Sequence, residues 1–179
     1  ALPICAVFEA QKSMSNITLH LIIAGKGISE QQLRQQVEQL NEIAQKSGLK
    51  PPLITFTGFL QKNEMVLANQ ASDMFCMMSI TETQCLSAMQ AFSTGIPVIG
   101  AAKHGLIEYI PKEAGFLVPA YNTQQLAKII IEKEKSKSLL FMANGLMILK
   151  IKLLILYRCV YIFISPNCLP LCCMGLIWQ

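Results

Sequence analysis

Residues 17–60 read "ITLHLIIAGKGISEQQLRQQVEQLNEIAQKSGLKPPLITFTGFL". The first nine are almost continuously apolar and stop at Gly25, as a buried strand ending in a turn does. From Ser29 the period changes. Leu33, Val37, Leu40 and Ile43 recur at helical spacing, with Ser29 as the candidate N-cap and Gly48 as the C-terminal stop. "PLITFTGFL" (52–60) is a second apolar strand with its outgoing turn. A strand, a long helix and another strand on short connections predict a βαβ crossover.

The same rhythm continues outward. "NEMVLANQAS" (63–72) predicts a short helix capped by Asn63, and "MFCMM" (74–78) a buried strand. "SITETQCLSAMQAFSTGIPVIG" (79–100) supplies a loop, a helix and a strand, "AGFLVP" (114–119) a last strand, and "NTQQLAKIIIEKEK" (122–135) a closing helix. Apolar strands alternating with helices require a parallel sheet covered on both faces. The predicted fold class is α/β, a doubly wound, Rossmann-like parallel sheet in one domain, residues 1–134. The chain opens with Ala, in what reads as the end of a helix, so it is expected to be a piece of a longer protein.

Charge divides the 179 residues unevenly. Residues 1–134 carry ten Lys/Arg and eleven Asp/Glu, a net of −1, whereas 135–179 carry five Lys/Arg and no acid. The formal +4 therefore resides in the tail, and a nucleic-acid partner is not expected. Cys5, Cys76 and Cys85 are scattered through the body; Cys159, Cys168, Cys172 and Cys173 crowd the tail. No body pair has metal-ligand spacing, and the total is odd, so reduced thiols in a cytoplasmic protein are expected and no metal site. In the tail Lys150, Lys152 and Arg158 interrupt the apolar run, and Pro166 and Pro170 break the uncharged remainder. Three readings stay open for it: read-through sequence, association with a membrane surface, or an ordinary packed helix. It lacks the amphipathic period by which a helix docks on a sheet. It is therefore expected to add little to the body's stability.

In doubly wound sheets ligands bind beyond the carboxyl ends of the strands. Four loops should lie there: "GKGIS", "TGFLQ", "SITETQC" and "GAAKHG". Gly25 and Gly27 form a G-x-G without the third Gly of a dinucleotide fingerprint, and no acid sits some twenty residues on, so a dinucleotide cofactor is not expected. Glu82 precedes the helix that begins near Leu86, and Gln90 lies about one turn inside it. In this reading Leu86, Met89 and Phe92 face the sheet, while Ser87 and Gln90 face the ligand. The backbone amides of Thr83, Gln84, Cys85 and Leu86 lie between Glu82 and Gln90. A carboxylate and an amide suit sugar hydroxyls, and a helix N-terminus suits an anion.

The blocks "FTGFL", "ASDMFCMMS", "ETQCLSAMQAFSTGIPVIG", "HGLIEYI" and "GFLVP", in this order over about residues 5–134, resemble glycosyltransferase family 4, in the C-terminal, nucleotide-sugar-binding domain of its GT-B fold. The resemblance implies retaining transfer from a nucleotide sugar to a glycan or lipid acceptor, without an obligatory metal or other cofactor. It places sugar recognition on Glu82. It puts Gln90 where the family has a ribose-binding glutamate, and Cys85 where it has a glycine, with a side chain that would crowd the donor. Gly25, Gly27, Thr57 and Gly58 match the family's loop and wall beside the donor. The family's N-terminal acceptor domain and its diphosphate-binding Arg and Lys have no counterpart here. The chain is thus expected to be inactive alone. A cytoplasmic location, peripheral at the membrane if the tail adsorbs there, follows. The rival reading is a non-catalytic remnant or interaction module that keeps the fold.

Overall fold

The computed structural model describes residues 2–81, 85–103, 105–113, 115–135, 141–143, 146–148 and 157–163. Helix α1 (Leu2–Lys12) leads into strand β1 (Thr18–Ala24), helix α2 (Glu30–Lys46) and strand β2 (Leu53–Gly58). Then come α3 (Lys62–Ala71), β3 (Met74–Met77), α4 (Leu86–Ser93), β4 (Val98–Ala101), α5 (Gly105–Tyr109), β5 (Gly115–Val118) and α6 (Thr123–Lys135). A small antiparallel pair, β6 (Phe141–Ala143) and β7 (Leu146–Ile148), precedes β8 (Tyr157–Phe163).

The main sheet has the order β2-β1-β8-β3-β4-β5, with every pairing parallel. Its strands read nearly apolar because both faces are covered. Met74 and Cys76 of β3 join a core with Leu19, Leu21 and Ile23 of β1, Ile4 and Val7 of α1, Leu33 of α2 and Leu126 of α6. Phe75 and Met77, one residue out of step, join the opposite core with Ala88 and Ala91 of α4 and Leu106 of α5. This alternation is the period of two that a pleated strand imposes. The doubly wound α/β fold expected from the sequence is the one observed.

Gln11 joins α1 to the sheet. Its buried amide nitrogen donates to the carbonyls of Met14 and Ile17, each at 2.8 Å, and its oxygen accepts the Leu19 N–H at 2.7 Å. One side chain thereby satisfies three backbone groups at a helix end and a strand start.

Two local expectations change. Helix α3 starts before Asn63, at Lys62, and Glu64 folds back to accept the Gln61 N–H at 2.7 Å. A carboxylate reaching back to the preceding turn does the capping that Asn63 was expected to do. In α2, Leu33, Val37 and Ala44 are buried but Ile43 is 56% exposed, because the buried face runs through Ala44 and turns Ile43 outward.

The larger correction concerns the tail. Residues 157–163, in a tail expected to add little to the body's stability, form β8 between β1 and β3. It pairs with β1 from Thr18↔Tyr157 to Ala24↔Phe163, and with β3 from Met74↔Val160 to Cys76↔Ile162. In the doubly wound order 3-2-1-4-5-6, β8 occupies the place of strand 1. A strand flanked on both sides in a parallel sheet needs no polar alternation. The missing amphipathic period was therefore no argument against packing. No helix of the described residues is long and apolar enough to cross a membrane.

Candidate functional site

The chain runs from β1 outward to β2 on one side and from β3 through β4 to β5 on the other, so the winding reverses about β8. A ligand crevice belongs beyond the carboxyl ends of the strands at such a reversal. The loop after β1 and the end of β2 meet there. Gly25, at φ 111°, donates its N–H to the Gly58 carbonyl at 2.8 Å, and Gly58 has φ 69°. Both angles favour glycine. The pairing register shifts between Ile23 and Ala24, so the end of β1 is re-aimed before the loop begins. Thr57 is exposed, and its hydroxyl donates to the Gly58 carbonyl at 3.1 Å. Gly25, Thr57 and Gly58, proposed from two separate motifs, thus lie side by side, and Gly27 follows in the same loop.

Two neighbours escaped the sequence reading. Phe59 is 74% exposed directly after the strand-ending glycine, an aromatic face offered to solvent. The stem of Lys26 crosses Gly58, its Cε 3.2 Å from where a Cβ on that glycine would sit. The signal for both was their place between the glycines and the turn. Nearby, Arg34 donates from Nε and Nη2 to Glu30 Oε1 at 3.1 and 2.7 Å, with its guanidinium 4.3 Å from the Phe56 ring centre.

The third loop carries Ser79, buried at its start, but Glu82, Thr83 and Gln84 lie outside the described residues. The expected convergence of Glu82 and Gln90 in one cleft is therefore described at one end only. Beyond it α4 is rotated from the expected orientation. Leu86 is 70% and Met89 49% exposed, while Cys85, Ala88 and Ala91 are buried and Phe92 packs beside them. Small residues let the helix lie close on β3 and β4; larger ones would hold it off. At about 100° per residue, Gln90 shares the outer face with Leu86, opposite Ala88 and Ala91. Cys85 turns its thiol into the core, so its side chain does not crowd the outer approach as expected. His104 also lies outside the described residues, and Gly105 opens α5.

Two other chemistry-bearing side chains serve the fold. His20 hydrogen-bonds Thr55 Oγ1 at 2.8 Å in the middle of β1 and β2, and burial lowers its pKa. Burial pushes the Cys76 thiol up to about 12, which keeps it protonated and unreactive.

The structure thus defines a doubly wound α/β domain with a glycine-clamped loop at the ligand end of its sheet. The chain belongs to the family "Glycosyl transferases group 1", whose profile matches residues 4–133. It is 39% identical over 66 residues to the sulfoquinovosyl transferase SQD2 of Arabidopsis thaliana, a stretch covering 35% of this chain and 13% of that protein. Its fold is similar to the catalytic domain of the cholesterol-alpha-glucosyltransferase of Helicobacter pylori. There the TM-score is 0.58 at 20% identity, over 76% of this chain and 77% of that one. It also resembles Anabaena HepE in complex with UDP-glucose, with a TM-score of 0.57 at 20% identity, over 73% of this chain and 35% of HepE. The chain thus spans a small part of the length of SQD2 and of HepE.

Proposed function

We propose that this chain is the donor-binding part of a family 4 glycosyltransferase that moves a sugar, with retention, from a nucleotide sugar to a glycan or lipid acceptor. The observation that carries the reading is the clamp of the Gly25–Gly27 loop onto the end of β2, at the ligand end of the sheet. The complex of HepE with UDP-glucose supports UDP as the nucleotide to try first. Glu82 reads the sugar hydroxyls in this proposal, with the backbone amides of residues 83–86 beside it. Gln90 stands in for a ribose-binding carboxylate. The chemistry needs no metal and no cofactor beyond the donor, and an acceptor-binding domain closes over the cleft. The cytoplasmic face of a membrane is the proposed site of work.

A second reading is a module that keeps the fold without transfer. It is favoured by the amide at Gln90, on an outer face shared with the exposed Leu86. Calorimetry with UDP and UDP-glucose separates the two. The donor reading expects tighter binding of UDP-glucose than of UDP, and loss of that preference in Glu82→Ala. Equal affinities in the unmutated chain would refute the role of Glu82. Gln90→Glu is expected to tighten UDP binding by about 1 kcal/mol, as a charge-assisted bond replaces a neutral one. No gain would show that Gln90 stands outside the nucleotide site.

A further inference from the structure

We propose that Lys26 supplies the positive charge that holds the phosphate groups of a nucleotide at this cleft. The proposal rests on the nucleotide-binding reading above and goes beyond it by assigning the anion-binding group. Three observations lead to it.

The first is anchorage. Most exposed lysines swing freely, but Lys26 stands between two glycines whose loop is tied to β2 by the Gly25 N–H and the Gly58 carbonyl. Its stem lies over Gly58, the one residue type that leaves room for it. The ammonium is thereby held at the ligand end of β1 and β2.

The second is pairing. Lys12, Lys46 and Lys128 each have a glutamate three or four residues away on their own helix. Lys26 has no ion pair among the described residues, and neither do Lys62 after β2 and Lys103 after β4. All three are exposed and follow parallel strands, so they share one end of the sheet.

The third is the state of the nearby acids. Glu30 is engaged by Arg34, and Glu64 turns its carboxylate back to the Gln61 N–H, so neither forms an ion pair with Lys26. The body is net −1 from residue 1 to 134. Within it, the described part of this rim presents three lysines that form no ion pair. A lysine ammonium is a compact charge with three donors, suited to phosphate oxygens of varied geometry.

Calorimetry of the full chain with UDP and with uridine tests the assignment. Lys26→Gln is expected to weaken UDP binding about fivefold and to change uridine binding less than about twofold. Lys26→Arg should keep most of the UDP affinity, and Lys46→Gln, at the far end of α2, should change neither ligand. Equal UDP affinity in the unmutated chain and Lys26→Gln would overturn the assignment while leaving the nucleotide reading in place. An unmutated chain that binds uridine as tightly as UDP would do the same. Failure of the unmutated chain to bind either ligand would overturn both. Thermal melts of each variant check that an exposed substitution has left the fold unchanged.

Discussion

A chain cut after Lys135 is expected to lose its cooperative unfolding transition. The cut removes β8, whose backbone satisfies β1 along its whole length and β3 along most of its length. Both strands would then show open edges inside the sheet. Each buried backbone group left unpaired costs about 1–3 kcal/mol, against a total stability of about 5–15 kcal/mol for a domain. A few such groups exceed what the fold can lose. Thermal unfolding followed by circular dichroism is the measurement. A truncated chain melting within about 2 °C of the full one would show that β8 does not hold the sheet together. A milder form of the experiment is Tyr161→Pro. It removes one N–H from the strand between Ile22 and Phe75 and should be strongly destabilising.

Gly115→Ala should be the most damaging of the glycine-to-alanine substitutions. Gly115 opens β5 opposite Val98, and an added methyl would overlap the Val98 carbonyl oxygen and come within 2.6 Å of Ile110 Cγ2. A carbonyl inside the sheet cannot move without breaking its neighbours' register. The expected loss is about 3 kcal/mol, or a fall in Tm of roughly 6–12 °C. Gly100→Ala is the useful contrast. Its added methyl would meet the flexible end of the Ile110 side chain, which can turn aside. Gly48→Ala meets nothing within 4 Å and loses only the cost of φ +67°. The order of Tm values should be Gly115→Ala lowest, then the other two. If Gly115→Ala melts with Gly48→Ala, β5 is not seated as described.

The strands β1 to β5 and the helices α2, α3, α4 and α6 were legible because length, period and glycine punctuation agreed along residues 17–135, whereas the five-residue α5 was too short to show a period. The clamp at Gly25 and Gly58 was half legible. Each glycine stood out at a strand end, but their hydrogen bond depends on a register shift that no local pattern encodes. The orientation of α4 was misread because Leu86 and Met89 are the larger apolar residues and were expected inside. Burial followed Ala88 and Ala91, whose small size allows close contact. Strand β8 was missed for a different reason. "YRCVYIF" holds the aromatic and β-branched residues that strands favour, but it was tested against helical and membrane patterns. A strand whose partners are 139 and 86 residues away, as Tyr157 is from Thr18 and Val160 from Met74, gives no sign of them in its neighbourhood.

The place of β8 also sets a schedule for synthesis. Thr18 leaves the ribosome well before Tyr157, its partner, and at about 5–20 residues per second the wait is on the order of ten seconds. Through that interval β1 and β3 have no neighbour to separate and join them. The nascent chain has two exposed edges rich in Leu, Ile and Met, with β-propensity suited to pairing with any passing strand. Yield of native protein should therefore depend on what shields those edges during translation, and a slower ribosome lengthens the exposure. A holding chaperone, or a lower growth temperature during expression, acts on that window and leaves the finished fold untouched.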